Sequence, residues 1–149
     1  MDVDGTLTDG KIYMGNDGEV MKAFDIKDGY GIHDLLPPSG IVPVIITGRG
    51  SEILLNRCEE LGITKVFQNV HNKLEEMLKL VENEGNTLAN VAYIGDDMND
   101  AACMEAVRNA GGITGCPRDA VKDLIRLTTY RCKHNGGNGA VREFIEHVI

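Results

Sequence analysis

The sequence lacks the cysteine patterns and the apolar runs that mark zinc-binding, disulfide-stabilised or membrane-anchored chains. Its four cysteines include no CxxC pair and no spacing typical of a metal site: Cys58, Cys103, Cys116 and Cys132. No apolar run approaches the length of a membrane span, and no signal peptide is visible. We therefore expect free thiols, a cytoplasmic location and no membrane partner.

Positive charge is also scarce. The 149 residues include 15 lysines and arginines against 23 acidic residues, which gives a formal net charge of −8. This balance argues against nucleic acid and anionic membranes as partners. A phosphorylated substrate is still compatible with it, because a few local cations and a metal ion can dominate one pocket. The candidate cations are Lys27, Arg49, Lys73 and Arg142.

Repeats, low-complexity tracts and linkers are absent as well, so the length predicts one domain over residues 1–149. Apolar strand-like segments, such as 41–47 and 91–94, alternate with amphipathic helical segments, such as 51–61 and 73–84. This alternation predicts an α/β fold with a doubly wound parallel sheet.

The sequence leaves no room for a cap domain over an active site. The intervals from Asp2 to Thr47 and from Lys73 to Asp96 are too short to hold one. The only insertion is residues 12–24, where a glycine-rich turn predicts a small β-hairpin flap. An uncapped pocket excludes water poorly, so we expect a neighbouring subunit to supply the missing walls.

Two carboxylates stand two residues apart at the start of the chain, in Asp2-Val3-Asp4-Gly5-Thr6. In an extended segment the two side chains point to the same side, and Gly5 permits a sharp turn after them. One carboxylate can then attack a phosphate while the other moves protons. The motif by itself is also typical of calcium loops and acidic turns. Because only Met1 precedes Asp2, we expect the strand leading into the motif to be truncated.

Three further polar motifs follow in order. Thr47 ends an apolar run, Lys73 begins a helical segment, and a second apolar run leads into Asp96, Asp97 and Asp100. In open α/β sheets, sites form where the carboxyl ends of the strands meet. The series therefore predicts a phosphoryl-transfer site in which a divalent cation screens the acids.

This order of motifs resembles the haloacid dehalogenase superfamily of phosphohydrolases over nearly the whole chain. Several stretches are similar to the 3-deoxy-D-manno-octulosonate 8-phosphate phosphatases and the related nonulosonate (sialic-acid-type) phosphatases: residues 2–10, 27–32, 47–49 and 136–143. The resemblance implies a Mg²⁺-dependent phosphatase that acts on a phosphorylated 2-keto-3-deoxy sugar acid through an aspartyl-phosphate. Such a step belongs to pathways that build lipopolysaccharide or sialic-acid-like sugars. The resemblance also implies a capless homotetramer in which a neighbour covers each site.

The acidic residues take distinct roles in such a mechanism. Asp2 is expected to be the nucleophile and Asp4 the general acid and base. Mg²⁺ is expected to bind Asp2, Asp96 and, by resemblance, the backbone carbonyl of Asp4. Asp97 and Asp100 are expected to lie next to these ligands without binding the metal ion themselves. One of them is expected to orient metal-bound waters, and Asp100 either caps the following helix or holds a lysine.

The phosphate and the sugar acid need donors and cations. The Thr47 hydroxyl and the Gly48 amide are expected to donate to the phosphoryl oxygens. Lys73, at a helix start that disfavours a cation, is expected to hold the phosphate and neutralise the nucleophile. Arg49 is expected to pair with the substrate carboxylate. Arg142, in the terminal helix, is a further substrate-binding candidate.

The glycine-rich tail, residues 136–143, runs into the terminal helix and offers backbone amides to an anion. By resemblance, the tail reaches a neighbour's site. The related families carry an arginine at the position of Asn138, so that one contact is in question here.

Three alternatives to the octulosonate phosphatase are open. The chain resembles a nonulosonate 9-phosphate phosphatase, although Arg49 favours the octulosonate type. It also resembles the non-catalytic tetramerisation tail of some acylneuraminate cytidylyltransferases, although those tails tend to lose their catalytic acids. A phospho-accepting receiver domain has similar residue types but places the acidic pair before the acceptor aspartate, the reverse of the order here.

Overall fold

A computed structural model describes residues 1–149 and contains seven short strands and six α-helices. The strands are β1 Tyr13–Gly15, β2 Gly18–Met21, β3 Val44–Ile46, β4 Lys65–Phe67, β5 Ala92–Ile94, β6 Ile113–Cys116 and β7 Tyr130–Arg131. The helices are α1 Ile26–Tyr30, α2 Glu52–Glu60, α3 Lys73–Asn83, α4 Ala101–Asn109, α5 Lys122–Ile125 and α6 Ala140–Val148. One π-helical turn, Gly31–Leu35, follows α1 directly.

Residues 1–3 join two parallel ladders into one sheet. β3 pairs with β4, and β5 pairs with β6, which pairs with β7, all in parallel. The Met1 amino nitrogen donates to the Val44 carbonyl at 2.8 Å, and the Ile46 amide donates to the Met1 carbonyl at 3.1 Å. On the other side, the Asp2 amide donates to the Ile94 carbonyl at 3.1 Å. Residues 1–3 thus lie between β3 and β5, and Asp2 leaves the sheet at its carboxyl edge.

Helices cover both faces of the sheet, which confirms the predicted doubly wound α/β fold. Neighbouring strand residues point to opposite faces. Ile45 and Ile94 belong to a buried cluster with side chains of α2 and α6, whereas Ile46 and Tyr93 belong to a second cluster with side chains of α3 and α4. None of the helices is both long enough and apolar enough to cross a membrane.

The hairpin is shorter than the predicted span of 12–24. β1 and β2 are antiparallel, and β2 ends at Met21. Met14 and Val20 are 65% and 61% exposed, so these apolar side chains of the hairpin are not buried within the chain. Phe24 lies beyond the hairpin and packs against the core.

Candidate functional site

The first loop turns back over the carboxyl edge of the sheet because of one glycine. Gly5 has a φ of +103°, which side-chain-bearing residues rarely adopt. A Cβ at this position would also overlap the carboxylate of Asp96. The turn brings the hydroxyl of Thr6 to Asp96, where it donates to Oδ1 at 3.0 Å. Thr6 stands within the predicted motif, but the sequence alone assigns it no role.

Lys73 connects Asp2 to Asp100 in the interior of the site. Its Nζ lies 2.8 Å from an oxygen of each carboxylate, and its side chain is 2% exposed. Lys73 is the first residue of α3, and the Asn72 side chain caps that helix by accepting from the Glu75 amide at 3.2 Å. Burial lowers the pKa of Lys73, but Asp100 and Asp2 outweigh it, so the net pKa is raised. The ammonium therefore stays charged.

Asp100 holds Lys73 but does not cap the following helix, because its side chain accepts no hydrogen bond from α4 and instead closes the turn that precedes it. Its Oδ2 accepts from the Asp96 amide at 3.1 Å, while its Oδ1 accepts from the Tyr93 hydroxyl at 2.7 Å. Both oxygens of Asp100 are thus engaged by protein donors. Asp97 is exposed, and its carboxylate accepts from the Met98 amide at 2.6 Å. Tyr93 was missed at the sequence level, because its apolar strand context favoured a simple core residue.

Asp2, Asp96 and Asp100 bring carboxylate oxygens within 4.8 Å of one another. Burial, followed by the neighbouring carboxylates, raises the pKa of Asp96 from 3.8 to about 7. Burial also raises the pKa of Asp2, followed by the charge of Asp100. Such a group of largely buried, mutually repelling oxygens suits a hard divalent cation, which would favour the charged form of both acids. The donor set therefore fits Mg²⁺.

Thr47 and Gly48 follow β3 at the same edge of the sheet as Asp2. The Thr47 amide donates to the Phe67 carbonyl at 2.9 Å, and its buried hydroxyl accepts from the Arg49 amide at 3.5 Å. Gly48 is exposed. Because residues 1–3 pair with β3, Asp2 and Thr47 leave adjacent strands side by side.

Asp4 is surrounded by charges from two other segments. Lys22, at the end of the hairpin, forms an ion pair with Asp4 Oδ1. Arg49 Nε lies 3.7 Å from Asp4 Oδ2, and its Nη2 lies 3.8 Å from Glu19 Oε1. Lys22 Nζ also lies 3.0 Å from Glu19 Oε1. From the sequence the hairpin was expected only to be a flap, and Glu19 and Lys22 were missed.

Arg142 lies away from the other predicted site residues in this chain. Its guanidinium stacks 5.0 Å from the centroid of the Tyr30 ring, and its Nε donates to Glu146 at 2.7 Å. The start of α6 is also not open to an external anion. The buried carboxylate of Asp28 accepts from the Arg142 amide at 2.7 Å and from the Gly139 amide at 3.3 Å. The anion expected at this helix start is therefore supplied by the chain itself.

The glycine-rich tail packs against the loop that contains Gly5 and Thr6. The Gly137 amide donates to the Thr6 carbonyl at 3.0 Å. A Cβ on Gly136 would overlap the Gly5 carbonyl, so the backbones approach more closely than a side chain allows. Asn138 is exposed, and its amide donates to the Asn135 carbonyl at 3.1 Å.

The raised pKa of Asp96 predicts a pH dependence that a cation should remove. A carboxyl group whose pKa is raised on folding stabilises the fold fully below its unfolded value of 3.8, and this stabilisation is lost as the pH rises through about 7. With a chelator present, we expect the free energy of unfolding to fall between pH 5 and pH 8 by on the order of 2 kcal/mol. Added Mg²⁺ or the substitution Asp96→Asn should flatten the dependence. Urea unfolding at both pH values measures it, and an unchanged slope in Asp96→Asn would contradict the assignment.

Known proteins similar to this chain are bacterial sugar-acid phosphatases. The 3-deoxy-D-manno-octulosonate 8-phosphate phosphatase of Escherichia coli is 46% identical over 149 residues, which cover all of this chain and 77% of that protein. No family model matches the chain.

Solved structures agree in fold along the chain. The crystal structure of the phosphatase of that name from Yersinia pestis has a TM-score of 0.89 at 41% identity, over 97% of this chain and 76% of that chain. The Moraxella catarrhalis phosphatase, solved in complex with a magnesium ion, a phosphate ion and a KDO molecule, has a TM-score of 0.92 at 37% identity. That match covers 99% of this chain and 82% of the other.

Proposed function

The chain belongs to the family of the 3-deoxy-D-manno-octulosonate 8-phosphate phosphatases, within the haloacid dehalogenase superfamily, and from this premise we propose that it is a Mg²⁺-dependent phosphatase of 3-deoxy-D-manno-octulosonate 8-phosphate. The observation that carries the proposal is the buried arrangement of Asp2, Lys73 and Asp100 beside Asp96. A lysine neutralises the nucleophile there, while three carboxylates crowd around a space suited to a cation. The name and the bound molecules of the Moraxella catarrhalis relative support the choice of substrate and metal.

In the proposed reaction, an oxygen of Asp2 attacks phosphorus and the bond to the sugar oxygen breaks. Asp4 gives its proton to the leaving sugar oxygen, which departs as the alcohol. Asp4 then takes a proton from a water molecule, whose oxygen attacks phosphorus and displaces the Asp2 carboxylate. Inorganic phosphate leaves, and both acids return to their starting forms.

The remaining residues bind and orient. Mg²⁺, when bound by Asp2, Asp96 and the Asp4 carbonyl, would offset the repulsion between the nucleophile and the phosphate. Lys73, the Thr47 hydroxyl and the Gly48 amide hold phosphoryl oxygens. These roles are supported by the position of each residue at the carboxyl edge of the sheet, next to Asp2.

Arg49 is the proposed partner of the substrate carboxylate. It is 44% exposed and lies beside Asp4, so it can reach a sugar acid whose phosphate is held deeper in the site. Arg142 contributes to this pocket only if a neighbouring copy brings it there, because its own chain holds it on Tyr30. The proposed place in lipopolysaccharide biosynthesis rests on the relatives' activity, and the proposed cytoplasmic location rests on the four free thiols.

A phosphate-release assay tests the function. Octulosonate 8-phosphate is expected to be hydrolysed in the presence of Mg²⁺, and a chelator should abolish phosphate release until Mg²⁺ is restored. A nonulosonate 9-phosphate is expected to be a poorer substrate. Preference for the nine-carbon substrate would favour the nonulosonate phosphatase, and no release from either would favour a non-catalytic assembly domain.

We further propose that the chain assembles as a homotetramer through the exposed apolar residues of the hairpin. Ile12, Met14, Val20 and Met21 are all exposed, and an isolated two-stranded hairpin cannot bury them by itself. Packing of several hairpins around a symmetry axis would bury these side chains and add walls to an open pocket.

Sedimentation at micromolar concentration tests this assembly. The double substitution Met14→Glu and Val20→Glu is expected to shift the protein to monomers, because it places charges inside the proposed interface. Leu78→Glu, at an exposed apolar position on α3, is the control and should leave the assembly intact. A parent protein that sediments as a monomer with full activity would contradict the proposal.

A further inference from the structure

Two charged residues of the hairpin segment, Glu19 and Lys22, lie beside the proposed general acid and base. Lys22 follows β2 immediately, and its side chain is 2% exposed, although most of the hairpin is open to solvent. Its ammonium forms ion pairs with Asp4 Oδ1 and, at 3.0 Å, with Glu19 Oε1. The side chains of Asp4 and Glu19 are 18% and 10% exposed.

This contact differs from the ordinary surface ion pairs of the chain. A surface pair holds two mobile side chains loosely and contributes little. Here a buried lysine lies between two largely buried carboxylates, and removing it would leave both without their nearest cation. Arg49 is a weaker alternative, because it is 44% exposed and stays 3.7 Å or more from the same acids. The arrangement therefore restrains the direction of the Asp4 side chain.

For acid catalysis the Asp4 carboxylate must be present and must also point toward the leaving oxygen. A general acid must lie within hydrogen-bond reach of the leaving oxygen, and a displacement of about 1 Å can cost on the order of a hundredfold in rate. Asp4 sits just before the turn at Gly5, so its backbone alone leaves the carboxylate free to rotate. Lys22 is the group whose contact fixes one of its oxygens.

We propose that Lys22 is a positioning residue that directs the Asp4 carboxylate toward the leaving oxygen, with Glu19 holding Lys22 in place. The inference rests on the proposed function, in which Asp4 serves as acid and base. It gives the hairpin a second role besides assembly, since the same element orients a catalytic group of its own chain.

The nature of the leaving group provides the test. The sugar oxygen of octulosonate 8-phosphate must be protonated as it leaves, whereas the nitrophenolate of p-nitrophenyl phosphate leaves without a proton. In Lys22→Met we expect the first turnover of the sugar phosphate to slow by about 10- to 100-fold, with KM changed by less than about threefold. The first-turnover burst of nitrophenolate should change by less than about threefold. Steady-state turnover of both substrates should fall, because breakdown of the intermediate also needs Asp4.

Four further variants complete the experiment. Asp4→Asn is the benchmark and should show the same split between the two substrates, only larger. The double variant Glu19→Gln with Lys22→Met removes one charge of each sign and is measured in case the single variant does not fold. Lys22→Gln retains a donor and should recover part of the loss. Lys11→Met, at a 73% exposed lysine that pairs only with Asp9, should leave all rates unchanged.

Each of the following results would overturn the proposed role of Lys22. If the first turnover of both substrates slows equally, the substitution has damaged the whole site and the proposal is overturned. A rise in KM alone also overturns it, because Lys22 would then be a substrate contact. Parent-like rates in Lys22→Met beside a slow Asp4→Asn overturn the role of Lys22 and leave the phosphatase mechanism intact. Parent-like rates in Asp4→Asn overturn the acid–base role and the inference together.

Discussion

Asp2→Asn is expected to lower the rate of phosphate release by about a thousandfold or more. The substitution keeps the size of the side chain, and Lys73 still has Asp100 as a partner, so the fold should survive. An amide oxygen is a far weaker nucleophile than a carboxylate that is buried beside an ammonium, so the covalent step should fail. The measurement is steady-state phosphate release from octulosonate 8-phosphate at saturating Mg²⁺.

Two controls make the result interpretable. Deamidation of the new asparagine would restore aspartate, so mass spectrometry must show the amide intact, and Asp2→Ala should be equally inactive. Asp9→Asn alters an exposed acid in the same loop and should leave turnover unchanged. Turnover within about tenfold of the parent in intact Asp2→Asn would exclude an aspartyl-phosphate at this position. Acid quenching of the parent during turnover should, in turn, find the phosphate on Asp2.

The centre of the site could be predicted from sequence because it depends on topology. Thr47 and Asp96 each follow an apolar segment, Asp2 stands before a glycine turn, and parallel strands bring their carboxyl ends to one edge. The relative from Escherichia coli confirms the family drawn from the same motifs. Strand lengths were less predictable. β3 begins at Val44 rather than at residue 41, immediately after Pro43, which has no amide to donate to a ladder.

Contacts between segments far apart in sequence could not be predicted in this way. Asp28 accepts from amides more than a hundred residues later, and nothing in the local pattern around it marks a buried helix cap. Lys22 and Glu19 belong to a segment that the turn pattern marks only as a hairpin, and nothing in that pattern predicts their contacts with Asp4 and with each other. Arg142 was placed in the substrate pocket by resemblance, and its position on Tyr30 shows that one copy of the chain does not bring it there.

Lys73→Met is expected to have the second large effect, on stability and catalysis at once. The substitution leaves Asp2 and Asp100 buried with no cation between them, which should cost about 3–5 kcal/mol in the free energy of unfolding at pH 7 in the presence of a chelator. The raised pKa of Lys73 gives the sign: its stabilising contribution is complete below 10.5 and is lost only as the pH rises through the still higher folded value. The parent therefore has the full contribution at pH 7. Urea unfolding of both proteins measures the difference.

The conditions that restore stability should not restore catalysis. Lowering the pH to 5 makes it easier for Asp2, whose pKa is raised, to take up a proton, and at pH 7 added Mg²⁺ can screen the acids, so either change should recover part of the lost free energy. Phosphate release should nevertheless remain about a hundredfold or more below that of the parent, because no cation then holds the transferring phosphoryl group from the side of α3.

Lys79→Met is the matched control on the same helix. It removes an exposed lysine paired with Glu75 and should change neither property appreciably. If Lys73→Met proved as stable as the parent in chelator, the buried ion pairs would not support this site. If it recovered full turnover with Mg²⁺, Lys73 would be a structural residue alone.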